Sequence, residues 1–407
     1  MSTPQPSVPA ARSARRQARP GPVRWILPVV LALIASLIAF LAGAIVLGAW
    51  IPAIPKVGVI GPVLGGQYPF HIALLALVGL GLGVLAWRSG LVRWGRTLTA
   101  LTAVSAAFAL AIGAVQYATA GKEHTRVSFG EVITQLAYPG AVPDDSPTYA
   151  KRDGEKLKAD LYLPEAAQTR SGRVPAIVLA HAGGFHTFNK SDLRGTARWL
   201  ADHGIVAIAI DYRLARSDRP TWNKAPQDLV TALRWTEDRA GHYGIDPNRI
   251  SLGGMSAGGT LALDTAWRLK NGTIKATDGR TPKPPHSVVG FYPGTDVTDM
   301  WQRDVAGTRQ AAELFTGGTP EQHPDRYHAV SPTTHVTAGL QPTLLVVGDR
   351  DRSASPTTID DLADALRANG VDTTVKKLPF AEHAFDDAYG SLTSQTSRQI
   401  LLDFLTR

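Results

Sequence analysis

The sequence predicts a chain in two parts: three membrane-crossing helices, then an α/β unit whose mostly parallel sheet carries helices on both faces. Three observations lead there. Long uncharged apolar runs are confined to the stretch before Tyr117. Beyond Lys122 the texture changes to short apolar runs alternating with helical patterns. Charge divides at the same place: ten of the 42 basic residues and one of the 34 acidic ones precede Thr125, so the remainder is close to neutral.

Residues 1–23 are rich in Pro, Ser, Ala and Arg and have no apolar periodicity, which predicts a disordered basic cytoplasmic tail. A membrane part is expected over 24–119, with spans at about 25–50, 68–87 and 98–117. At 1.5 Å per residue, an uncharged run of about 20 residues crosses the roughly 30 Å hydrocarbon core. Trp25 and Trp50 stand where interfacial anchors belong. A cleaved signal peptide would have an apolar core of only about 7–15 residues, so the first span is expected to be retained. The third run is richer in Ala, Ser and Thr, yet it lacks the polar face of a soluble amphipathic helix. Gly79 and Gly83 form a small-xxx-small face that would let another helix approach.

Orientation follows from basic residues. Four Arg in the tail with Arg24 just after it, and Arg88, Arg93 and Arg96 in an expected 88–96 loop, contrast with Lys56 alone in the 51–67 loop. The positive-inside rule places the tail and the 88–96 loop in the cytoplasm, and three crossings put everything after Lys122 on the extracytoplasmic side. The spans hold no carboxylate or basic side chain, and His71 lies near a span end. Transport and proton relay need ionisable groups at depth, so the helices are expected to anchor.

A linker is expected over 120–147 and a folded unit over 148–407. Residues 149–150 and 157–163 read as an opening hairpin around a turn at 151–154. Further strands are expected at 174–180, 205–210, 250–253, 287–292, 343–347 and 373–378, with helices at about 192–203, 225–243, 258–269 and 357–369. Strands apolar on both sides, alternating with helices, argue for a parallel sheet buried on both faces. Its near-neutral charge provides no nucleic-acid footprint. The absence of cysteine excludes disulfides, thiolate metal sites and a thiol nucleophile.

Three places on this scaffold carry chemistry. Gly254-Met255-Ser256-Ala257-Gly258 follows an expected strand and precedes an expected helix. So tight a turn needs small flanking residues and lifts the Ser256 hydroxyl out at the end of the sheet. His181-Ala182-Gly183-Gly184-Phe185 follows the strand at 174–180. The N–H groups of Gly183 and Gly184, with that of Ala257, are the candidate donors for a developing oxyanion. His181 is read as holding this loop. Asp351 follows the strand at 343–347, and His383 the strand at 373–378. A serine hydroxyl needs an imidazole to take its proton and a carboxylate to orient that imidazole, which assigns Ser256, His383 and Asp351 to those roles; Asp349 competes for the third. The remaining histidines are scattered without metal-ligand spacing, so neither metal nor cofactor is expected.

Residues from about Thr148 onward resemble the hormone-sensitive-lipase-like and related bacterial carboxylesterases of the α/β-hydrolase superfamily. The resemblance rests on HAGGF, Asp211-Tyr212-Arg213-Leu214-Ala215, Asp228 with Arg234-Trp235, GIDPNRISLGGMSAGGTLA, Phe291-Tyr292-Pro293, Ser331-Pro332, GDRDRSAS and EHAF. It implies an α/β-hydrolase fold, a triad of Ser256, Asp351 and His383, oxyanion donors in Gly183 and Gly184, and hydrolysis of a small-molecule or lipid ester. Ala182 replaces the first glycine of the family's HGGG loop, and Met255 stands where relatives often carry Asp or His. The segment 294–341 is longer than a simple connection needs. It either walls the acyl pocket, as in relatives, or is a plain helical connection. Rival readings are a peptidase or amidase on the same fold, a catalytically silent scaffold, and a sensor or transporter whose working part is the three-helix unit.

Overall fold

The computed structural model describes residues 23–168 and 173–407. The tail expected over 1–23 therefore lies outside the described residues, except that Val23 opens the first helix. Among the described residues, three helices are long and apolar enough to cross a membrane: α1 (Val23–Trp50), α3 (Pro69–Arg88) and α4 (Val92–Lys122). They pack on one another. Gly79 faces Ile38 of α1 and Thr102 of α4, while Gly83 lies against the backbone at Gly95 and Thr99. Leu74, Leu77 and Val104 point outward, giving the bundle an apolar exterior.

Two expectations here need correction. The third helix starts at Val92, not near residue 98, so the expected 88–96 loop shrinks to the turn Ser89–Leu91. Val92–Thr97 holds no proline, Gly95 packs directly on the Trp87 backbone of α3, and the Arg96 guanidinium lies 4.8 Å from the Trp87 ring centroid, so the helix continues through these residues. The 51–67 segment is not an open loop. It holds α2 (Val57–Ile60) and a π-helical stretch, Gly61–Gly66, folded against the end of α1. Gly48 and Gly61 permit that approach, because a side chain on either would strike backbone across the contact.

After α4 come α5 (Phe129–Thr134), β1 (Thr148–Arg152), β2 (Glu155–Tyr162), α6 (Glu165–Gln168), β3 (Val174–Ala180), α7 (Arg194–Asp202) and β4 (Val206–Ile210). Then follow α8 (Ala225–Asp238), β5 (Ile245–Met255), α9 (Ala257–Lys270), β6 (Val288–Phe291), α10 (Val297–Arg303), α11 (Thr308–Thr316) and α12 (Pro324–Val330). The chain closes with β7 (Thr343–Gly348), α13 (Pro356–Ala368), β8 (Thr373–Leu378) and α14 (Leu392–Leu405). The eight strands form one sheet in the order β1-β2-β4-β3-β5-β6-β7-β8. The β1–β2 and β2–β4 pairings at one edge are antiparallel, and all pairings from β4 to β8 are parallel. The β3-to-β4 crossover runs toward the β1 edge and the later ones run away from it. Right-handed connections then put α7 on one face and α8, α9 and α13 on the other. The central strands β3 to β7 are buried along almost their whole length, as a sheet covered on both sides requires.

α14 has no counterpart among the expected elements. Its Thr393–Arg398 run reads as polar, yet all six residues are buried. The helix lies between α7 and α4, so both of its sides are covered. It joins the two parts of the molecule, helped by the Lys376–Glu123 ion pair at 2.6 Å and by paired bonds between Gln395 and the Ser128 backbone at 2.8 and 3.1 Å.

Candidate active site

β5 delivers the chain into a turn so tight that Ser256 takes φ 51° and ψ −119°. That backbone region costs a non-glycine residue roughly 1–3 kcal/mol and persists only where its surroundings enforce it. Here the Ser256 N–H donates to the Phe291 carbonyl at 2.9 Å, and the Ser256 carbonyl accepts from Thr260 N at 2.9 Å. Side chains at Gly254 or Gly258 would run into the backbone of Ala180. The glycines thus let β3 and the start of α9 close around the serine.

The structure brings Ser256, His383 and Asp351 together. The Ser256 hydroxyl lies 2.9 Å from His383 Nε2, and His383 Nδ1 lies 2.9 Å from Asp351 Oδ2. The other Asp351 oxygen accepts the N–H groups of Ser353 at 2.9 Å and Ala354 at 2.7 Å, which aims the carboxylate. Desolvation pulls the imidazole's pKa down. The adjacent Asp351 carboxylate and the bond to it, with Glu382 and Asp386 nearby, outweigh that and leave it above the ordinary value of 6.5. Asp349 does not reach the imidazole; its own nearest charge is Arg350, at 3.7 Å.

Gly183 and Gly184 adopt φ 112° and 55°. The Gly183 carbonyl accepts from His186 N at 3.0 Å and Thr187 N at 2.9 Å, closing the loop into a turn. Among the described residues, no acceptor takes the N–H of Gly183, Gly184 or Ala257, and all three residues line one cavity with Ser256 and His383. Unpaired donors beside a nucleophile are what a tetrahedral oxyanion requires. His181 holds the loop from beneath, buried, stacked on Tyr212 at 4.3 Å and lowered in pKa by desolvation. Ala215 N donates to Phe185 O at 2.9 Å, and the buried Arg213–Asp228 pair at 2.8 Å fixes the strip that carries Ala215.

The cavity has a volume of about 260 Å³. The segment 294–341 supplies one wall of it through Met300, Ala306, Thr308 and Ala311, so it is more than a connection. Phe188 stands exposed at the rim.

Sequence reasoning missed the groups that hold His383 in place. Glu382 accepts from Arg352 N and Arg352 Nε, both at 2.8 Å, and ties the histidine loop to the loop carrying Asp351. The Tyr292 ring meets His383 edge-on at 4.7 Å, and its hydroxyl donates to the buried Asp386 at 2.5 Å. Tyr138 donates to the same carboxylate at 3.2 Å. Glu382 and Tyr292 lie inside motifs already singled out, EHAF and Phe291-Tyr292-Pro293. Nothing in sequence order points to their partners.

The BD-FAE family profile matches residues 159–366. The esterase LipC of Mycobacterium tuberculosis is 30% identical over 214 residues, which cover 50% of this chain and 51% of LipC. The non-reducing polyketide synthase trt4 of Aspergillus terreus is 28% identical over 176 residues, covering 41% of this chain and 7% of the synthase. The chain thus spans about half of the one relative and a small part of the other. Among solved structures, the propionate-bound thermophilic esterase Est2 of Thermogutta terrifontis superposes with a TM-score of 0.53 at 25% identity, covering 65% of this chain and 93% of that one.

Proposed function

The chain belongs to the BD-FAE family of α/β-hydrolases, and on that premise we propose that it is a membrane-anchored serine esterase acting through an acyl-enzyme on Ser256. One observation carries this reading: a continuous Ser256–His383–Asp351 hydrogen-bond chain opens on the same cavity as three unpaired N–H donors. As His383 Nε2 takes its proton, Ser256 Oγ bonds to the ester carbonyl carbon. The oxyanion so formed is held by the N–H groups of Gly183, Gly184 and Ala257. Collapse breaks the bond to the alcohol oxygen, which leaves with the proton from His383. Water repeats the sequence on the acyl-enzyme, releasing the acid and restoring Ser256. Asp351 holds the imidazole in the required tautomer throughout.

The substrate is a carboxylic ester. A cavity of about 260 Å³ with a largely apolar wall suits a short or medium acyl chain, consistent with the propionate in the Thermogutta esterase. α1, α3 and α4 are the spans; the link, expected over 120–147, begins at 123 because α4 runs on to Lys122, and 148–407 is the catalytic unit. Arg88, Arg93 and Arg96 cluster at the α3–α4 turn, which supports a cytoplasmic turn and an extracytoplasmic hydrolase.

The test is turnover of p-nitrophenyl acetate, butyrate and octanoate by the detergent-solubilised full chain and its Ser256→Ala variant. The variant is expected to lose at least about 10⁴-fold in kcat. Equal turnover by both proteins would sink the serine mechanism, and inertness of the folded parent would favour a silent scaffold.

A further inference from the structure

His383 rides on the loop Pro379–Ala384, directly after β8. Two of its non-glycine residues, Phe380 at φ 57° and Ala384 at φ 55°, sit in the left-handed region. Such a loop needs external support. The sheet side supplies some: Arg350 N donates to Ala381 O at 2.9 Å, and Glu382 binds Arg352. The opposite side rests on the three-helix unit. The Phe380 ring is buried against Ala49, Ile112 and Trp50, meeting the Trp50 ring edge-on at 4.8 Å. Gln116 of α4 donates to Pro379 O at 3.2 Å and to Gly66 O at 2.8 Å. Gln67 donates to Ala384 O at 3.2 Å. A side chain at Gly66 would strike the Phe380 carbonyl, so the two parts touch backbone to backbone.

We infer that Trp50, Gln67 and Gln116 are positioning residues for the esterase reaction, gripping the loop Pro379–Ala384 and so setting where His383 stands relative to Ser256. This rests on the esterase reading. Two features separate a brace from a tether. An anchor needs only a connecting segment, and the chain has one at 123–147. Instead, three elements far apart in sequence converge on the six residues that carry the histidine. A buried amide in an otherwise apolar helix is costly unless its hydrogen bonds are made. Gln116 is buried in α4; its NH₂ group makes two bonds, to Gly66 O and Pro379 O at this junction, while its carbonyl oxygen finds no partner among the described residues. The carbonyls gripped are those of Pro379 and Ala384, which flank His383. A shift of about 1 Å in a reacting group can cost on the order of 10²-fold in rate.

The experiment measures kcat and KM for p-nitrophenyl butyrate with the full chain in nanodiscs, alongside the thermal midpoint. The variants are Gln67→Ala, Gln116→Leu, Phe380→Ala and Phe380→Leu, with the outward-facing Leu77→Ala as control. Gln67→Ala, Gln116→Leu and Phe380→Ala are each expected to lower kcat by about tenfold or more with KM little changed; the midpoint should stay near the parent's in Gln67→Ala and fall in the two variants at buried positions. Phe380→Leu, which refills the contact, should recover most of the rate, and Leu77→Ala should match the parent. Should Phe380→Ala or Gln116→Leu not fold, Gln67→Ala decides, because its side chain is only half-buried and its loss leaves no void. A Gln67→Ala kcat within about twofold of the parent would overturn the inference. A parent without Ser256-dependent turnover fails in a different way: it removes the esterase reading, and this inference with it.

Discussion

Asp351 and Asp349 are two residues apart, and only three-dimensional placement separates their roles. Asp351 spends one oxygen on His383 and the other on two backbone N–H groups, whereas Asp349 faces Arg350. Asp351→Asn should therefore lower kcat by about 10³–10⁴-fold, and Asp349→Asn only a few-fold. The pH profile adds a second reading. A base must be neutral to accept the Ser256 proton, and His383 is raised above 6.5 by the Asp351 carboxylate, with Glu382 and Asp386 adding to it. The parent's kcat/KM should then rise with pH through a midpoint above 6.5, and Asp351→Asn should move that midpoint down. Stability follows the same sign: the raised pKa favours the fold fully below the ordinary imidazole value, and the gain is lost as pH climbs through the folded-state value. A midpoint unchanged in Asp351→Asn would remove Asp351 from this role. That Ser256, Asp351 and His383 would meet was legible in sequence because each lies just past a strand, where a parallel sheet presents its loops. Glu382–Arg352 and Tyr292–Asp386 were not, since a hydrogen-bond partner 30 or 94 residues away leaves no local mark.

Among elements, strand periodicity was the most readable signal, because central strands buried on both faces leave uninterrupted apolar runs such as Val206–Ile210. α14 was missed for the opposite reason. Its Ser, Thr and Gln run lacks an apolar stripe because its polar groups are satisfied inside a junction between two other helices. The uncharged run begins only after Arg96, whereas α4 itself starts at Val92, so charge alone does not mark the start of the helix. α10 and α11, with the turn between them, form a wall of the cavity through Met300, Ala306, Thr308 and Ala311. Adding bulk there should narrow the acyl site. Met300→Trp is expected to lower kcat/KM for p-nitrophenyl octanoate by about tenfold more than for the acetate, the scale on which a hydrophobic pocket discriminates one methylene. Equal losses on both esters would mean that the wall does not meet the acyl chain.

At the scale of the whole molecule, the two-part organisation was legible from charge and apolar runs that change together near Lys122. What no composition could reveal is that the two parts share a surface at the histidine loop, since Gln67 and Ala384 are 317 positions apart. The helices thus carry two signals of different origin: apolar exteriors that suit lipid, and the amides of the half-buried Gln67 and the buried Gln116, which reach the neighbouring α/β unit. The proposed reaction requires Ser256 to form a covalent bond in the intact chain. The direct measurement is peptide mass mapping after a fluorophosphonate is added to the full chain in nanodiscs, with esterase turnover followed in parallel. One adduct is expected, on Ser256, with turnover lost in proportion and no adduct in His383→Ala on the same timescale. An adduct elsewhere, or turnover that survives complete labelling of Ser256, would contradict the proposed reaction.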